Sequence, residues 1–233
     1  MFGLETLPAI VTAIGGLGTA AFGIVDATKV FNGGANHIGF SGIKAAVSPL
    51  TPPSTGSEAK GLTQAKILDT LEANWFNGTD LASQKAIAKA LIKLNVSPTN
   101  AFALAQATGV DPTALTGIAN SMARGTSLDA SQADVLARLD LIVTALLDEA
   151  YQRSDQVYRN GTRALATGVA LMLSLVGGIT LHLHGEATTA SSWSIDIAES
   201  LLVGLLATPL APIAKDVSTA LATAVNTLQA VKK

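Results

Sequence analysis

From Ala164 to Gly185 the chain reads ALATGVALMLSLVGGITLHLHG, without one Asp, Glu, Lys or Arg. A helix needs about 20 such residues to cross the hydrocarbon layer of a bilayer. A water-soluble fold has little use for an uncharged segment of this length, so it constrains the fold more than any other feature. Two further stretches answer to the same description. Leu7 to Val25, LPAIVTAIGGLGTAAFGIV, is uncharged and as a helix would rise about 28 Å. The third runs from Ile195 to Ala214, preceded by Trp193 as an interfacial anchor and closed by Lys215. Charged residues make up only 14% of the chain and aromatics 4%, so the apolar 48% is carried by Ala, Leu, Val and Ile, which suits close-packed helices. The expectation is an all-α integral membrane protein with three transmembrane helices and a helical cytoplasmic domain.

The division expected along the chain is 1–30 for the first span and 31–62 for a Gly/Pro/Ser-rich linker. The cytoplasmic helical domain follows at 63–163, then a transmembrane hairpin at 164–214 with spans 164–184 and 195–214, and an amphipathic C-terminal helix at 215–233. MFGLET supplies no basic n-region for a secretory signal, so the first segment reads as a retained span. Within it Gly15, Thr19 and Gly23 recur every four residues, the spacing of a helix-packing face in membranes. In the third span Pro209 and Pro212 lack an N–H and would free the carbonyls of Leu205 and Thr208, marking a hinge that should pack inside the bundle or line a wet cavity, with Thr208 as a candidate donor.

Basic residues collect on the cytoplasmic side of membrane spans. Lys29 follows the first span, Arg153, Arg159 and Arg163 precede the second, and Lys215, Lys232 and Lys233 follow the third. This places the N-terminus outside and the C-terminus in the cytoplasm of a multi-pass protein of the cell (inner) membrane.

The segment after Val30 is rich in Gly, Pro and Ser and shows no helical period, so it either lies over the surface, touching the membrane through Ile38 and Phe40, or has a functional role. From Thr63 onward the punctuation becomes legible. One helix ends at FNG after Trp75, and another begins after Thr79 and Asp80. Two more start at Ser97-Pro98 and Asp111-Pro112 and end near Gly109 and Gly125. Trp75 and Phe76 read as core, with docking on lipid as the alternative. TSLD at Thr126 signals the start of a long amphipathic helix in which Leu128, Val135, Leu139, Ile142, Val143, Leu146, Leu147, Ala150, Tyr151 and Tyr158 keep to helical spacing. No proline follows before Gly185, so that helix is expected to continue into the second span, with Asn160-Gly161 its weakest point.

Functional chemistry is sparse. HLHGE holds His182, His184 and Glu186, a weak candidate metal cluster, because alternate residues diverge on a helix and would converge only if the span ended earlier. Asp196 and Glu199, at one end of the third span, are candidate pore-mouth acids. No HExxH, Walker, GxSxG or dinucleotide motif occurs, so neither enzymatic activity nor a cofactor is expected. The net charge of −2, without a basic run, argues against nucleic acid as a partner. A C-terminal stripe of Val217, Leu221, Val225, Leu228 and Val231 suits self-association. The partners expected are the lipid bilayer and a homo-oligomer or a larger membrane complex. The leading function is a self-associating, non-enzymatic membrane scaffold or accessory subunit with a cytoplasmic interaction module. The alternative is an oligomeric channel, pore-forming or transport protein.

Overall fold

The computed structural model describes residues 7–53, 62–184 and 193–231, with side chains described for 9–53, 62–184 and 193–213. Glu186 and the side chains of the C-terminal stripe therefore lie outside the described residues. All regular structure among the described residues is helical: α1 Leu7–Ala27, α2 His37–Val47, α3 Gln64–Phe76, α4 Leu81–Asn95, α5 Ala101–Thr108, α6 Pro112–Arg124, α7 Ala130–Leu183 and α8 Trp193–Val231. Three of these are long and apolar enough to cross a membrane: α1, α7 and α8. The chain divides into two compact units, one made of residues 1–35 and 159–233, the other of residues 36–158.

The helical unit, 36–158, has a conventional core. Ile43, Val47, Ile67, Leu71, Ile92, Leu104, Leu115, Ile118, Val143, Leu147 and Tyr151 are all almost fully enclosed. Its helices begin where short polar side chains satisfy first-turn N–H groups that have no partner inside the helix. Thr63 accepts from the N–H of Lys66, Asp80 from Ser83 and Asp111 from Ala114. Gly109 and Gly125 close α5 and α6 in the left-handed region, each at φ 68°.

Several boundaries differ from expectation. Ser97 and Pro98 do not start α5, because Asn100 turns its side chain back to accept from the Ser97 N–H at 2.8 Å and α5 begins at Ala101. α7 begins at Ala130 rather than after Thr126. The Thr126 hydroxyl instead donates to the carbonyl of Ser121, at the end of α6. Asp129 and Gln132 form the reciprocal box, Oδ1 accepting from the Gln132 N–H at 2.8 Å and Oε1 from the Asp129 N–H at 3.2 Å.

The larger correction is at 31–62. That stretch is not a linker along its described length, since α2 lies within it and puts Phe40, Ile43 and Val47 into the core, with Leu50 just beyond the helix. Phe40 is therefore covered by protein and unavailable to touch a bilayer. What hid the helix is Gly39, at φ 94°, which breaks the helical path at its first turn. A β-carbon there would lie 2.5 Å from the carbonyl oxygen of Ser154, so only glycine lets α2 approach α7 this closely. Trp75 is buried and donates its indole N–H to the carbonyl of Asn36 at 2.7 Å, while Asn36 returns a hydrogen bond to Phe76. Trp75 is thus a core residue and is not exposed for docking on lipid.

Across α4, Lys85, Lys89 and Lys93 fall one turn apart and face α7, where Lys85 reaches Asp148 at 2.5 Å and Lys89 and Lys93 reach Asp140 at 3.2 and 2.9 Å. The hydrogen bond from Lys93, then that from Lys89, holds the Asp140 carboxyl below its ordinary range. A carboxyl with a depressed folded-state pKa adds stability above its unfolded value, and that stability is lost as pH falls through the folded value. The α4–α7 clamp is accordingly expected to weaken below about pH 4. The unfolding midpoint of Asp140→Asn should fall less than that of the parent between pH 7 and pH 3, and identical slopes would refute the assignment.

In the other unit the pattern of burial is inverted. α1, α8 and residues 159–183 of α7 meet through small side chains: Ala21, Ala166, Ala170 and Ala207 are fully buried and Ala211 nearly so. The large apolar residues face outward, among them Leu165, Met172, Val176, Leu202, Leu205 and Ile213. α7 is helical through Asn160 and Gly161. α8 likewise continues through Pro209 and Pro212 to Val231, so residues 215–231 extend the third span rather than forming a separate helix.

Candidate functional site

The residues singled out in the spans are distributed as follows. On α1, Gly15 is buried, whereas Thr19 and Gly23 are exposed, and a β-carbon at Gly23 would meet nothing within 4 Å. The packed face is rotated from the expected one and runs through Gly18, Ala21 and Val25. At Gly18 a β-carbon would lie 2.0 Å from the carbonyl oxygen of Ala207. On α8 the buried stripe is Gly204, Ala207 and Ala211, while Pro209 and Pro212 lie on the exposed side. The correction has a simple basis, since proline rings are apolar and can face outward while alanine and glycine permit helix contact. Thr208 is the partly covered residue beside them, its hydroxyl 3.2 Å from that of Thr167 on α7.

At the other end of α7 and α8, His182 and Asp196 form a pair, Nδ1 to Oδ2 at 2.5 Å. The imidazole meets the Trp193 ring edge-on at 4.4 Å between centroids. Beneath them the hydroxyl of Ser200 donates to the carbonyl of Asp196 and sits where a side chain on Gly178 would be. The helix persists to Leu183, so His182 and His184 diverge, and His184 faces its own backbone at the carbonyl of Thr180. Among the described residues no three His, Cys, Asp or Glu side chains gather as a metal site would require. The cluster encloses only about 10 Å³, no more than a single water needs. The cluster therefore joins α7 to α8 and leaves room for no more than a water. Asp196 is engaged with His182, whereas Glu199, one turn on along α8, is exposed. A double-mutant cycle of His182→Ala and Asp196→Ala on unfolding in detergent should give a coupling of roughly 0.5–3 kcal/mol; additive effects would mean that the pair holds nothing together.

A ligand-sized space lies in the helical unit. A groove of about 560 Å³ runs between α2 and α7, with Ala107 of α5 at one side. α2 contributes Gly39, Gly42, Ala45 and Ala46, and α7 contributes Leu146, Glu149, Ala150, Arg153, Ser154 and Val157. The small residues leave the space open; the α7 residues recur at three- and four-residue spacing, which is one helix face. Periodicity puts Leu146 and Ala150 on the apolar stripe of α7 but does not register Glu149, Arg153 and Ser154 as a group. Their signal was the run of Gly and Ala in GFSGIKAA, which only the partner helix makes meaningful.

Comparison with protein-family models, with curated proteins and with solved structures finds no match to this chain. Fold and residue placement define its class: an all-helical protein with three helices apolar enough to span a membrane.

Proposed function

We propose that this chain is a non-enzymatic membrane scaffold or accessory subunit that self-associates and presents its 36–158 unit as an interaction module in the cytoplasm. The observation that supports a membrane setting is the inverted burial of α1, α8 and the second half of α7, where alanine and glycine are inside and leucine, valine and methionine outside. Water does not favour that arrangement, whereas lipid accepts large apolar side chains and leaves close contact to small ones. The distribution of Lys and Arg supports an N-terminus outside and a C-terminus in the cytoplasm of the cell (inner) membrane. The alternative, an oligomeric channel, pore-forming or transport protein, draws on Asp196 and Glu199 as acids at a mouth. With Asp196 engaged by His182, the scaffold reading is the stronger.

The chain has no cysteine, so single cysteines can report topology without background. A cysteine placed at Thr189 should react with an impermeant maleimide from outside intact cells, and one at Ser131 only after lysis. The reverse pattern would overturn the orientation. Recovery of the chain from a high-speed supernatant without detergent would overturn the membrane assignment. A monomeric mass in mild detergent would overturn self-association, and a unitary current in planar bilayers would favour the channel.

A further inference from the structure

The groove between α2 and α7 carries, on its α7 wall, three polar groups that the protein leaves without partners. Glu149 and Arg153 are exposed at its edge, one helical turn apart, and neither makes a hydrogen bond or ion pair among the described residues. Ser154 is only 2% exposed, lines the same groove, and its Oγ has no hydrogen-bond partner. On the same helix Thr144, Thr162, Thr167, Ser174 and Thr180 each donate to a carbonyl three or four residues back. Ser154 departs from that habit: its hydroxyl lies against Gly42, where a β-carbon would come within 2.7 Å of it. A buried hydroxyl without a partner costs stability unless something binds it. Gln84 Oε1 and Tyr151 Oη are also enclosed without partners, but neither residue lines this groove.

Apart from the exposed Ser41, the remaining wall is glycine and apolar side chains, among them Ala45, Ala46, Leu50, Leu146 and Val157, so the body of an occupant must be largely apolar. Its volume, about 560 Å³, falls in the range of roughly 300–1,000 Å³ typical of small-molecule sites. It is too small for the body of a two-chain phospholipid. At the rim a cation and an anion stand side by side, and a head bearing both charges satisfies both, whereas a purely acidic head would meet Glu149. From these three observations we infer that the groove binds a single-chain zwitterionic amphiphile. Arg153 receives its phosphate, Glu149 its ammonium group, and Ser154 hydrogen-bonds a polar atom at the junction of head and chain. This site goes beyond the scaffold reading and does not depend on it.

The test uses the full chain in nanodiscs, with Trp193→Phe leaving Trp75 as the only tryptophan. Trp75 packs against Gly39, where its Cζ2 would lie 3.1 Å from a β-carbon, so its fluorescence reports on the groove. The probes are a monoacyl phosphocholine brominated along its chain and a brominated fatty acid. Saturable quenching by the phosphocholine is expected, with weak quenching by the fatty acid. Arg153→Gln and Glu149→Gln should each weaken the phosphocholine about tenfold, the loss of one charge-assisted contact. Ala45→Phe, an exposed position that would fill the groove, should abolish saturation. Quenching that rises linearly, or that is indifferent to these substitutions, would overturn the site. Tight fatty-acid binding that strengthens in Glu149→Gln would overturn the zwitterionic assignment. Should Ala45→Phe lose its helical circular dichroism, the two exposed charge variants decide the matter alone.

Discussion

Gly18→Leu is expected to drive α1 away from α8. A β-carbon at Gly18 would lie 2.0 Å from the carbonyl oxygen of Ala207, 2.6 Å from its carbonyl carbon and 3.1 Å from the β-carbon of Ala211. The first two are backbone atoms of a helix and cannot rotate aside, so the whole contact must open. Between helices in lipid the attraction is mainly close packing, and a separation of even 1 Å forfeits a quarter or more of each dispersion contact. Overpacking alone costs about 1–3 kcal/mol, and against fixed backbone the upper end or beyond is expected. Gly16→Leu is the matched control, since a β-carbon there meets nothing within 4 Å. Thermal unfolding in detergent should separate the two variants by many degrees. Equal midpoints would mean that α1 and α8 do not meet at Gly18.

Asn100→Leu should be the most damaging polar substitution in the helical unit. Asn100 is 2% exposed. Its Nδ2 lies 2.7 Å from the carbonyl of Asn95, 3.1 Å from Asn95 Oδ1 and 3.2 Å from the carbonyl of Pro52, while its Oδ1 accepts from the Ser97 N–H. Asn95 in turn donates to the carbonyl of Leu62. One side chain thus ties the entry to α5 to the end of α4 and to the segment after α2. Leucine matches its size but leaves several enclosed polar atoms without partners, each costing about 1–3 kcal/mol. A loss on the order of 4 kcal/mol is expected from denaturant unfolding followed by circular dichroism. Asn100→Asp keeps the acceptor for Ser97 and loses the donors, so an intermediate loss is expected. A change of less than about 1 kcal/mol in Asn100→Leu would show that water takes over these contacts.

Much of this architecture was legible in local chemistry. Asp80, Asp111, Gly109 and Gly125 mark helix ends because caps act within one turn, and a gap in charge marks a span because length and hydropathy are properties of the chain itself. Asp129-x-x-Gln132 is a box of the same local kind, and it lies three residues beyond Thr126, whose TSLD carries the same signature. The 31–62 stretch misled because one left-handed glycine and its neighbouring Gly, Pro and Ser hide α2. Only the carbonyl of Ser154 explains why Gly39 is there.

The amino-acid order alone determined the helical class, the three apolar spans and most of the capping, since each depends on residues within a turn or two of one another. Tertiary structure decided which glycine of α1 touches α8, that His182 meets Asp196, and that Glu149, Arg153 and Ser154 border one groove with α2. Those pairings join residues far apart in the chain, and the helical repeat that places every residue on some face leaves open which face another helix will cover.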